Sequence, residues 1–236
     1  MLYNVVENDW GEITYVPTLL GNILLVVLIL ALLGASVFFI KKRSKTLTVK
    51  QLVFCAMSIA LGTLLSYIKL FHFPTGGSIT LLSMLVICLP GYWFGLGVGV
   101  LTGVAYGILQ LLIDPYVLYP SQLVVDYLLA FGALGLSGIF STTVITKDET
   151  SSFRAFMAKH NLLNGYILAV LGRYFFAVLS GWIFFGSYAW KGWSALPYSL
   201  AYNAIYIFAE AAVTIVILLL PPVSKGMTYI KKLATE

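Results

Sequence analysis

FGLGVGVLTGVAYGILQLLI, residues 94–113, contains no charged side chain and a single amide, Gln110. A helix of that length, rising about 1.5 Å per residue, spans about 30 Å, the thickness of a bilayer's hydrocarbon core. Its glycines Gly95, Gly99, Gly103 and Gly107 recur every four residues. Such a stripe of small residues lets another helix approach closely inside a membrane. No lysine or hydroxyl residue follows as it would in a phosphate-binding loop, so the stripe is a packing signal.

The rest of the chain has the same character. Its 236 residues are 60% hydrophobic and 10% charged, with a mean hydropathy of +0.96. A soluble domain carries about 25% charged residues, so this chain must have lipid as its solvent over most of its girth. Apolar runs predict an all-α integral membrane protein of seven spans, near 16–40, 51–71, 78–91, 94–113, 122–143, 161–185 and 198–220. The third and fourth are separated only by Gly91-Tyr92-Trp93-Phe94, which predicts a tight hairpin; the third is short, with an irregular outer end. The N-terminal MLYNVVENDWGEITY is acidic, and the long first span lacks a small-residue cleavage signal. That reads as a retained helix rather than a secretory signal.

The net charge of +5 could suggest nucleic acid, but the positions of the charges exclude it. Lys41, Lys42, Arg43, Lys45 and Lys50 follow the first span. Lys147, Arg154 and Lys159 share a later loop, and Lys225, Lys231 and Lys232 follow the last span. Counting spans alternately puts all of these on one side, the pattern of basic cytoplasmic segments. The N-terminus is therefore expected outside and the C-terminus in the cytoplasm. No His/Cys/Asp cluster suits a metal, no serine has a base and an orienting partner beside it, and no motif for ATP hydrolysis is present. Cys55 and Cys88 read as small apolar residues within helices.

Three ionisable residues fall at membrane depth, where charge is costly and seldom accidental: Asp126, Arg173 and Glu210. Arg173 and Glu210 lie near the middle of the sixth and seventh spans. The structural reading pairs them, each offsetting the other's desolvation; the functional reading makes them a proton or substrate relay. Asp126, near the outer end of the fifth span, has no cationic candidate except Lys69 or Lys191 at the rim. It does have Tyr127, Tyr116, Tyr119 and Tyr106 at similar depth. A carboxylate ringed by aromatic faces suits an organic cation, each face contributing about 0.5–2 kcal/mol. Against that stands a carboxylate that orients a loop, beside tyrosines that form an interfacial belt.

SYAWKGWSALPYSLAYN, residues 187–203, gathers aromatic rings between the last two spans. Trp190 and Trp193 suit interfacial anchors at least as well as a lid. Asn203, inside a helix, needs partners for two donors and an acceptor, which a heteroaromatic ligand could supply.

Together these segments resemble the thiamine-specific substrate-binding subunit, or S component, of energy-coupling factor (ECF) vitamin transporters. The resemblance runs from about residue 50 to 220. It is carried by Ala56 and Ala60, GGSIT at 76–80, the glycine-striped span, SQLVVDYLLA at 121–130 and YAWKGW…YSLAYN at 188–203. It implies a six-helix bundle over residues 49–236; the predicted N-terminal helix and basic linker, residues 1–48, are an addition outside that six-helix pattern. It implies capture of thiamine at the outer face of a bacterial cell membrane, without enzymatic activity or cofactor. Asp126 would face the thiazolium, Tyr127, Tyr116 and Tyr198 would contact the ligand, and Asn203 would bond the aminopyrimidine. Tyr106, Phe185 and Ser78 stand where the family can have tryptophan, and Ala177 where it has a ring-contacting histidine. Ala56 and Ala60 would dock a transmembrane coupling subunit carried by two ATPase subunits. The alternatives are an S component for another vitamin or thiamine precursor, and a solitary ion-coupled carrier using Arg173 and Glu210.

Overall fold

The computed structural model describes residues 3–7, 13–21, 23–24, 27, 47–73, 77–113, 116–141 and 160–236. Among these residues five helices are long and apolar enough to cross a membrane: α1 (Val49–Tyr67), α3 (Leu96–Ile113), α4 (Pro120–Phe140), α5 (Asn161–Phe184) and α6 (Ala195–Leu219). A shorter apolar helix, α2 (Ser83–Phe94), lies among them, and the amphipathic α7 (Pro221–Thr235) follows α6. Two antiparallel hairpins, helical residues at 19–21, 23–24 and 27, and a 3₁₀ turn at Gly186–Tyr188 complete the described elements. In one hairpin, β1 (Tyr3–Glu7) pairs with β2 (Ile13–Pro17); in the other, β3 (Lys69–His72) pairs with β4 (Ser78–Thr80). Most of the predicted first span, 16–40, lies outside the described residues, and its first two positions belong to β2.

α2 forms the axis of the bundle. Every residue from Ser83 to Trp93 is buried, as expected of a helix that is apolar all round. Its neighbours are α1, α3, α4, α5 and α7. Large apolar side chains such as Met57, Leu64, Leu112, Phe175 and Val216 point outward instead, which gives the bundle a lipid-facing girth.

The glycine stripe does two separate jobs. Gly95 has φ 95° and ends α2, a left-handed conformation that glycine adopts without cost. The predicted turn at 91–94 is thus displaced to Gly95. Tyr92 and Trp93 stay helical because they are buried, with Trp93 edge-on to Phe54 at 5.4 Å. Gly99, Gly103 and Gly107 bring α3 directly against the backbone of α4. A Cβ on Gly103 would strike the carbonyl of Phe131, and one on Gly107 the carbonyl of Tyr127. Gly135 and Gly138 of α4 reciprocate against Val100 and Leu96.

Two further expectations need correction. The second span ends at Tyr67 instead of 71, and the third begins at Ser83 instead of 78. The intervening residues form β3 and β4, reversing through Gly77 at φ 81°. Lys69 and His72 give β3 a polar edge, and the β-branched Ile79 and Thr80 favour an extended β4. At the other end, the tail after the last span is helical. Val223, Met227 and Ile230 of α7 pack on the core, and Lys231 Nζ donates to the Ser141 carbonyl at 3.0 Å while lying 4.2 Å from the centre of the Tyr92 ring.

The α3–α4 contact carries a direct test. Gly107→Ala places a methyl group on the Tyr127 carbonyl and should cost at least about 1–3 kcal/mol of stability. A thermal midpoint in detergent that does not fall would show that the helices are held apart by other contacts.

Candidate functional site: a ring-lined cavity between α3, α4, α5, α6 and the β3–β4 hairpin

α4 changes helical type along its length, and the change positions the site. It opens with Pro120 at its first turn, is π-helical over Val124–Leu129, and tightens to a 3₁₀ form over Ala133–Phe140. Single π turns recur at functional sites. Here the wider turn lets the consecutive Asp126 and Tyr127 both face inward.

Gln122, one turn earlier, uses every polar atom it has. Its Oε1 accepts from the amides of Leu118 and Tyr119 at 2.7 and 3.3 Å; its Nε2 donates to the Tyr116 carbonyl at 2.8 Å and to Asp126 Oδ2 at 3.1 Å. The Tyr127 hydroxyl accepts the Tyr116 amide at 2.7 Å. The 116–119 loop is therefore fixed by the same helix that presents the carboxylate. Burial, followed by the neighbouring Tyr188, raises the Tyr116 phenol above its ordinary pKa, so it remains neutral at physiological pH.

α6 presents a face with period four: Tyr198, Tyr202, Tyr206 and Glu210. Tyr198 and Tyr202 lie with ring centres 5.4 Å apart, and Phe73 of the hairpin meets Tyr202 edge-on at 5.6 Å. Gly77 rests so closely on the Tyr206 ring that a Cβ there would come within 2.8 Å of it. Asn203 donates to the Ser199 carbonyl at 2.9 Å and to its hydroxyl at 3.2 Å, and accepts from Tyr206 at 2.6 Å. Both amide protons are thereby used within the protein, and one lone pair of the amide oxygen remains.

These elements enclose a cavity of about 340 Å³, near the lower end of the roughly 300–1,000 Å³ usual for small-molecule sites. All eight predicted ligand-contacting residues line it: Ser78, Tyr106, Tyr116, Asp126, Tyr127, Phe185, Tyr198 and Asn203. Tyr116 and Phe185 stack with ring centres 6.0 Å apart. Ser78 accepts from, or donates to, His72 Nδ1 at 2.8 Å. Ala56 and Ala60 are exposed on the far side of α1. Trp190 and Trp193 do not line the cavity; they are exposed and pack edge-on against each other at 5.2 Å.

Several cavity residues went unidentified from sequence. Gln122, Tyr202, Tyr206 and Ser180 all line it. The tyrosines had a legible signal, the four-residue period that runs from Tyr198 to Glu210. Gln122 and Ser180 had none, because single polar residues in apolar helices are unremarkable.

The predicted Arg173–Glu210 ion pair does not form. Glu210 Oε2 accepts from the Thr80 amide at 3.0 Å and the Thr80 hydroxyl at 2.6 Å. Its Oε1 accepts from the Ser83 hydroxyl at 3.2 Å and the Met84 amide at 3.0 Å. The carboxylate thus caps α2, whose first amides have no helical acceptor, and supports the left-handed Leu82 at φ 61°. Arg173 lies over the Phe131 ring instead, 4.3 Å from its centre.

A bundle with an apolar girth that encloses a small, ring-lined, carboxylate-bearing cavity belongs to the class of membrane proteins that bind small solutes. The comparisons identify the family. Residues 52–230 match the thiamine transporter protein (Thia_YuaJ) family, and the chain belongs to that family, one of transporters and not of enzymes. It is 34% identical over 148 residues to the thiamine transporter ThiT of Bacillus subtilis strain 168, covering 62% of this chain and 76% of that one. The thiamine transporter ThiT of Lacticaseibacillus paracasei is 29% identical over 119 residues, 49% of this chain and 58% of its own. The solved structure of ThiT from Listeria monocytogenes superposes with a TM-score of 0.59 at 27% identity, over 73% of this chain and 94% of that one.

The capping role of Glu210 predicts the outcome of its removal. Glu210→Ala orphans the buried amide of Met84, at a cost on the order of 1–3 kcal/mol, and the half-buried amide of Thr80, at a smaller one. The variant should melt earlier and be cut sooner by protease within residues 68–82. Unchanged proteolysis there would mean that the hairpin is held elsewhere.

Proposed function

We propose that this chain is an S component that captures thiamine at the outer face of the membrane and delivers it for ATP-driven import with an ECF coupling subunit and two ATPase subunits. The observation that carries the ligand assignment is the state of Asp126. It faces a ring-lined cavity, its hydrogen-bond partner is the neutral Gln122, and no cation lies within ion-pair distance of it among the described residues. A carboxylate so placed favours a ligand that brings its own positive charge. Tyr116, Tyr127, Phe185 and Tyr198 supply ring faces to a thiazolium, and Tyr106 and Ser78 extend the wall. Asn203, with only an oxygen lone pair left, takes the exocyclic amino group of the aminopyrimidine.

In the proposed assembly residues 49–236 form the binding unit of six helices, and residues 1–48 add a seventh. The N-terminus lies outside and the C-terminus inside, as the basic segments favour. The lie of β2 against α5 and the Gly186–Tyr188 turn is consistent with an outer N-terminus. Exposed Ala56 and Ala60 leave a shallow strip on α1 against which a coupling-subunit helix can pack.

Two measurements test this reading. Asp126→Asn removes the charge with little change of shape and should weaken thiamine binding by tens-fold or more, measured by calorimetry on purified protein. Equal affinity in the variant would remove Asp126 from the ligand's charge balance. Ala56→Trp with Ala60→Trp should preserve binding to the isolated chain while abolishing uptake in cells. Normal uptake would place the docking surface elsewhere.

A further inference from the structure

Hydrogen-bond accounting separates the cavity walls. On α6, Ser199, Asn203, Tyr206 and Glu210 are engaged with other protein groups. On α5 they are not. The Ser180 hydroxyl is 1% exposed and lines the cavity; the Asp126 carboxylate lies beside it, but no acceptor meets it in full hydrogen-bond geometry. Arg173, two turns before it on the same helix face, also lines the cavity. Among the described residues its guanidinium forms neither an ion pair nor a hydrogen bond, and it lies over the face of Phe131. Between them Ala177 contributes no polar atom. Buried polar groups are normally satisfied; Ser180 is buried without a closed hydrogen bond, while the half-buried Arg173 turns open donors to the same cavity, so a ligand there can supply partners to both.

Resting on the thiamine reading, we propose that Arg173 and Ser180 form a second recognition wall, in which Arg173 donates to a ring nitrogen of the neutral aminopyrimidine and Ser180 to the next acceptor toward Asp126. Seven residues of helix separate the two by about 10 Å, a span that suits a ligand of two linked rings. The charges are ordered to match. The carboxylate at one end takes the cationic ring, and the guanidinium at the other repels that ring and favours the one with nitrogen lone pairs. With its central carbon 4.3 Å from the centre of the Phe131 ring, the planar guanidinium can offer its fork of N–H groups to a ring edge, a geometry lysine cannot reproduce. The wall thereby fixes which end of the ligand enters first.

The test pairs variants with ligands. Thiamine and its two analogues with a pyrimidine ring nitrogen replaced by CH are titrated by calorimetry into wild-type protein, Arg173→Met, Arg173→Lys and Ser180→Ala. Arg173→Met should weaken thiamine binding about 10- to 100-fold, the range for a hydrogen bond from a charged donor. That penalty should vanish for one of the two analogues. Arg173→Lys should lose most of the same affinity while keeping the charge, and Ser180→Ala should lose several-fold. An unchanged affinity, or an equal loss for thiamine and both analogues, overturns the assignment. Should Arg173→Met fail to fold, wild-type protein that binds both analogues as tightly as thiamine overturns it without a variant. A wild-type chain that binds no thiamine overturns the functional reading itself, and this assignment with it.

Discussion

Backbone contact between α3 and α4 is the constraint from which the site's geometry descends. Three glycines of α3 and two of α4 remove the side chains that would otherwise hold two membrane helices apart. Lipid supplies no hydrophobic drive for helices to associate, so close van der Waals packing must do so. The closest approach, at Gly107, falls against the carbonyl of Tyr127, within the π-helical turn that carries Asp126. Tight packing and irregular helix thus occur at one place. Close packing meets α4 where its local geometry departs from ideal, and there two consecutive residues face one cavity.

The cavity's carboxylates illustrate how environment assigns a role. Glu210 and Asp126 are both acidic residues within apolar helices and both line the same space. Glu210 meets four donors from the hairpin and the start of α2. Its charge is absorbed by backbone and hydroxyl dipoles, and it acts as a structural cap. Asp126 meets one amide, and most of its accepting capacity remains directed at the cavity. Burial of an ion is tolerated where such compensation exists; Asp126 has less of it than Glu210, which is what the proposed cationic ligand would add.

The sequence disclosed most where a signal repeats. Long apolar runs predicted α1, α3, α4, α5 and α6 to within a few residues at most ends, and the small-residue stripe predicted a close helix pair. The eight expected ligand contacts converge on one cavity, although composition alone left Asp126 evenly poised between a loop-orienting role and a binding one. What the sequence concealed was set by tertiary partners. The ends of the second and third spans, 68–71 and 78–82, are apolar enough to read as helix, yet they contribute to a hairpin. Its exit is held by Glu210, about 130 residues later, through donors of Thr80, Ser83 and Met84. Arg173 and Glu210 looked complementary by depth and charge, but depth does not specify facing. A closer set of donors claimed Glu210, and the ring of Phe131 claimed Arg173. The helicity of the tail is visible only once Val223, Met227 and Ile230 have a core to cover.

α1 is where the two proposed surfaces meet. Its exposed face holds Ala56 and Ala60, while its buried face offers the Gly62 carbonyl to the Tyr106 hydroxyl at 3.4 Å and Ser66 to Gln110 at 3.2 Å, both from cavity-lining residues of α3. Only Ile68 separates its end from β3, so the hairpin that forms one cavity wall cannot shift far without moving the last turn of α1. In turn, β4 leads within three residues into α2 and its Glu210 cap. The hairpin is thus part of one continuous segment, α1 through the start of α2, with the exposed Ala56 and Ala60 at one end and the buried axis of the bundle at the other.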